Sequence, residues 1–85
     1  MQDMMTKSVY LETPQDVKDF CFAASDLPRN VSVMASHGSF TIDAKSILGM
    51  FSLDLSEPVT LTIVSEDNLP KEKINKLFAK WEVVK

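Results

Sequence analysis

Eighty-five residues, 45% hydrophobic and 25% charged, with two glycines and four prolines, fit a single globular domain and exclude disorder and collagen-like repeats. Nine Lys and Arg against twelve Asp and Glu leave a net charge of −3, which argues against a phosphate-backbone binder, so nucleic acid is not expected as a partner. The lone Cys21 precludes an internal disulfide, and the opening Met1-Gln2-Asp3-Met4-Met5-Thr6-Lys7 lacks the marks of a signal peptide. With no stretch long enough to span a membrane, a cytoplasmic protein without membrane contact is expected.

Thr6-Lys7-Ser8-Val9-Tyr10-Leu11 is short and β-prone, with Val9 and Leu11 on one face, and reads as the first strand. Thr13-Pro14-Gln15-Asp16 then supplies a cap hydroxyl, a proline preset for the first helical position and an acid over the positive helix end. Val17, Phe20, Cys21, Ala24 and Leu27 follow at helical spacing, and Pro28 lies just beyond that stripe. Val31, Val33 and Ala35 alternate with polar or flexible neighbours, as do Phe40 and Ile42 after Ser36-His37-Gly38-Ser39; this predicts a β-hairpin turning at Gly38. From Lys45 to Leu53 the group Ile47, Leu48, Met50, Phe51 and Leu53, preceded by Ser46, predicts a short second helix. Val59-Thr60-Leu61-Thr62-Ile63-Val64 is β-branched and alternating, hence a strand. Pro70 stands near the start of a terminal helix in which Ile74, Leu77, Phe78 and Trp81 share a face, with Val84 close to it. No internal repeat or linker interrupts this β-α-β-β-α-β-α order, which predicts one α+β open-faced sandwich over residues 1–85.

The stretch from Ala24-Ser25-Asp26-Leu27 through Ala44-Lys45-Ser46-Ile47-Leu48-Gly49-Met50-Phe51-Ser52-Leu53 resembles HPr, the small phosphocarrier family of the bacterial sugar phosphotransferase system. Its distances to the first helix and to the Val59–Val64 strand match as well, so the resemblance covers nearly the whole chain. It implies a four-stranded antiparallel sheet with three helices on one face. Carrier members have a histidine at the start of the first helix and an arginine two residues later; here Thr13 and Gln15 stand at those positions. A threonine hydroxyl would give an unreactive phosphate ester where imidazole gives a labile phosphoramidate, so carrier activity is not expected. The helix amides there are still expected to attract an anion.

The family's second site is present as Ser46, which implies either a helix cap or a serine phosphorylated by an HPr kinase/phosphorylase. The resemblance implies a regulator without carrier activity, similar to the catabolite-repression HPr-like proteins that act with a transcription regulator. It is expected to be no enzyme and to need no cofactor. Ile47, Leu48 and Phe51 have the spacing of one helix face, which suits either core packing or the partly exposed docking surface that the family implies. Phe22, off the first-helix stripe, either extends that surface or packs at its edge. Gln15, Lys18 and Lys45 flank the same rim, where a partner's acidic group or plain solvent would meet them. The rivals are a phosphocarrier after all and a binding module of another class.

His37 is the only histidine and sits in a turn without neighbouring Cys or His, so it reads as a solvated turn residue and no metal is expected. Cys21 lies in the apolar stripe and reads as a small buried hydrophobe. Asp16 and Asp19 complement the helix dipole, and Trp81 reads as core.

Overall fold

A computed structural model describes residues 2–83; Val84, which the sequence puts close to the terminal helix face, lies outside them. The elements are β1 (Asp3–Val9), α1 (Pro14–Ser25), β2 (Val31–His37), β3 (Phe40–Asp43), α2 (Ile47–Phe51), β4 (Val59–Ser65) and α3 (Lys71–Phe78). The strands form one sheet in the order β1-β4-β2-β3 with antiparallel neighbours. Side chains alternate between sheet faces, and the buried set takes one face only: Val31, Val33 and Ala35 from β2, and Val59, Leu61 and Ile63 from β4. Val17, Phe20, Cys21 and Ala24 of α1, Met50 of α2, and Ile74 and Phe78 of α3 belong to the same core, so the three helices cover that face and leave the other open. This is the open-faced α+β sandwich predicted from the element order.

The first strand needs correction. It runs Asp3–Val9 rather than Thr6–Leu11, pairing from Asp3 with Ser65 to Val9 with Val59. The physical reason is the length of β4, which gives residues 3–5 a partner that their own propensity did not advertise. Leu11 leaves the sheet and is nevertheless buried. At Tyr10 the chain turns to the C-terminal segment, where Tyr10 N–H donates to the Trp81 carbonyl and Val83 N–H to the Ser8 carbonyl, both at 2.8 Å.

Between β2 and β3 the two-residue turn Gly38-Ser39 links His37 to its partner Phe40. Gly38 has φ +62°, and among the described residues no non-glycine shares the positive-φ region. That combination is the turn with glycine first, whose twist suits a hairpin. Phe40, at the hairpin end, stands 71% exposed, whereas Ile42, opposite Ala35, packs on the core.

Phe20 joins α1 to the chain's end: its ring lies 5.2 Å from that of Phe78 and 5.7 Å from Trp81, the latter edge-on. Such pairs add about 0.5–1.5 kcal/mol beyond the area they bury. Trp81 follows α3 and is core as expected, although its buried Nε1–H has no partner among the described residues. On the same side Lys7, whose side chain is 7% exposed, bonds Glu82 Oε1 at 2.9 Å. Among the described residues no helix is long and apolar enough to cross a membrane.

Candidate functional site

Thr13 has extended backbone (φ −130°, ψ 159°) and is the N-cap of α1. Its Oγ1 accepts the Asp16 N–H at 3.1 Å, while Asp16 Oδ2 accepts the N–H groups of Glu12 (3.1 Å) and Thr13 (3.3 Å). This reciprocal arrangement is a capping box, with aspartate in the place usually held by Glu or Gln. It overturns the expectation of an anion site at this helix start. Pro14 has no N–H, the Asp16 N–H is taken by Thr13, and an acidic side chain occupies the positive end that phosphate would need. Gln15 is exposed and donates its Nε2–H to Asp19 Oδ1 at 3.0 Å. Asp19 therefore carries a helix-surface hydrogen bond as well as its place near the dipole. Beside this start runs a groove of about 330 Å³ lined by residues including Tyr10, Thr13, Val17, Phe51 and Leu55.

Ser46 caps α2, its Oγ accepting the Gly49 N–H at 3.2 Å. Gly49 lets the cap sit close: a Cβ there would approach Ser46 Oγ to 3.3 Å and the Ile42 side chain to 3.5 Å. Only Met50 of this five-residue helix is buried. Leu48 is 81% exposed, Phe51 45% and Ile47 38%, and Phe22 on α1 is 76% exposed. A second groove, about 210 Å³, joins the two helices and is lined by Lys18, Cys21, Phe22, Ser25, Lys45 and Ile47. The open alternatives at these positions thus resolve toward an exposed apolar surface, with the Ser46 hydroxyl at one end of it.

Lys45 departs from its reading as a solvated or partner-facing residue. It is half-buried, and its Nζ donates to the carbonyls of Val31 (2.9 Å) and Pro28 (3.4 Å). The Pro28 carbonyl also accepts the Val31 N–H at 2.9 Å, so the lysine adds a second donor there and ties the entry of β2 to the start of α2. Cys21 is buried; desolvation, with a smaller contribution from the Asp43 carboxylate, pushes its thiol above the ordinary range and keeps it protonated.

His37 has neighbours that sequence spacing did not reveal. Its ring nitrogen and one carboxylate oxygen each from Asp54 and Glu57 all lie within 4.8 Å of one another. Ser36 pairs with Thr60, so the loop entering β4 arrives beside His37. Asp54 is fixed by the N–H (3.0 Å) and hydroxyl (2.6 Å) of Ser56, both donating to Oδ1. Those bonds, and the nearby His37, hold its carboxyl below the usual range. The expectation that His37 lacks metal-type neighbours counted only Cys and His and overlooked carboxylates brought in by the sheet.

The four-stranded antiparallel sheet with three helices on one face is an HPr-like open-faced sandwich. Among solved structures, the chain is similar to the phosphocarrier protein HPr from Bacillus anthracis str. Ames, with TM-score 0.61 and 24% identity over 92% of this chain and 96% of that one. That likeness establishes the shared fold. No family model matches the sequence. No curated protein matches it either.

Proposed function

We propose that this chain is an HPr-like regulatory interaction protein, related to sugar phosphotransferase control, that works in the cytoplasm by binding other proteins and is switched by phosphorylation of Ser46. The observation that carries the reading is the exposed apolar surface of Phe22, Ile47, Leu48 and Phe51 with the exposed Ser46 hydroxyl at its border. Exposed aromatic and large aliphatic residues grouped on one face favour a protein partner. Phosphorylation there would place a group of about −1.5 to −2 charge at the start of α2, altering which partners that border accepts. The HPr kinase/phosphorylase and a transcription regulator are the proposed partners. Phosphate relay has no place in this reading, because a threonine hydroxyl at position 13 would give a stable phosphate ester in place of a labile phosphoramidate.

The test is intact-mass analysis after incubation with ATP and an HPr kinase/phosphorylase, with Ser46→Ala as control. One phosphate mapped to Ser46 and absent from the control is expected. An unmodified chain with an active kinase would refute the switch, and phosphate gained from phosphoenolpyruvate through enzyme I would instead restore the carrier reading.

A further inference from the structure

The geometry points to a divalent transition-metal site formed by His37, Asp54 and Glu57, outside the surface assigned to partner binding. The three side chains come from two segments that the sheet holds together: the end of β2 at the hairpin turn, and the loop between α2 and β4. Their ligand atoms lie within 4.8 Å of one another, with His37 half-buried and both acids exposed. Bonds of about 2.0–2.2 Å to one ion bring its ligands about 3–4.4 Å apart, depending on the angle, and exposed side chains close the difference by small torsional changes.

The donor set selects the class of ion. One imidazole nitrogen with two carboxylate oxygens suits zinc or a neighbouring first-row dication and gives little advantage to magnesium, an oxygen-seeking ion. Two negative charges against a neutral ring leave a dication nearly balanced. Three protein ligands leave further positions to water. One ligand is prepared in advance, because the two Ser56 donors fix Asp54 Oδ1. Orientation by such outer hydrogen bonds strengthens metal binding. A bound ion would clamp the hairpin to the loop following α2.

The sequence offers a direct readout, since His37 is the only histidine. Titrating the tag-free protein with zinc chloride while following the His37 ring by NMR should shift those signals and saturate at one equivalent, with amide shifts confined to the turn and residues 54–57. Magnesium chloride should leave the ring unmoved. Asp54→Asn and Glu57→Gln, both surface changes, should each weaken zinc about tenfold or more. A ring that stays unmoved by zinc would overturn the site. So would equal affinity in the Asp54→Asn/Glu57→Gln double variant, which would assign binding to the imidazole alone.

Discussion

Thr13→Ala tests whether the Thr13 hydroxyl is spent on folding as the cap of α1. The substitution removes the acceptor of the Asp16 N–H, a 3.1 Å bond, and leaves both bonds to Asp16 Oδ2 in place. Because the helix start is exposed, water replaces part of what is lost, and the expected cost is about 1 kcal/mol, within the usual range for a cap. In a domain of this size that corresponds to about 4–8 °C in Tm. Thr13→Ser should retain most of the stability. Asp16→Ala should also destabilise, and the double variant should lose less than the sum of the two, because each residue's bonds support the other's. Urea and thermal unfolding followed by far-UV circular dichroism measure all four. A neutral Thr13→Ala, or strict additivity, would refute the capping box and free the hydroxyl for another role.

Glu82→Ala should cost more than Lys7→Met, about 1–3 kcal/mol by urea denaturation, because it strands a lysine whose side chain is 7% exposed, whereas methionine fills the same place uncharged. Trp81→Phe should change stability by under about 1 kcal/mol, since the lost area is offset by removing a buried N–H without a partner; a calorimetric loss above about 3 kcal/mol would show that the indole is satisfied. Asp3 accepts the Leu69 N–H at 2.9 Å and faces Lys71; the Leu69 bond above all, with the lysine charge adding to it, holds its carboxyl below the usual aspartate range. Its stabilising effect is therefore full above the unfolded value and lost as pH falls through the folded one. Denaturation of wild type and Asp3→Asn should differ at pH 6 and converge near pH 2, as follows from about 3.9 for an unfolded aspartate; a gap that persists at pH 2 would refute the linkage.

Local chemistry explains what the sequence disclosed. Thr13-Pro14 and Ser46 announced helix starts because caps act within one turn, and the alternation of Val59 to Ile63 announced a strand because its partners all lie on one face. What stayed hidden depends on contacts distant in sequence. Residues 3–5 became strand only through β4, Lys45 found its acceptors at Pro28 and Val31, and Asp54 and Glu57 met His37 through sheet register. Asp16 is the exception: its capping box is local, and the Thr-x-x-Asp spacing already contained the signal. The exposure of Leu48 was undecidable from periodicity alone, because a five-residue helix supplies too few turns to define a face, whereas the longer α1 already set Phe22 off its apolar stripe.

The pairing of β1 with β4 sets an order on how the chain can be built. During synthesis β1 emerges first, yet its sheet neighbour appears only after α1, the hairpin and α2 have been made. Until then β1 has no strand to join, and the half of the core beneath it, including Val9, stays uncovered. Contacts so distant in sequence slow folding and prolong the exposure of strand edges. The β2–β3 hairpin, whose strands are joined by two residues, needs no later segment to pair, whereas β1 can pair only once β4 exists. Of the described strands, β1 thus waits longest along the chain for its partner.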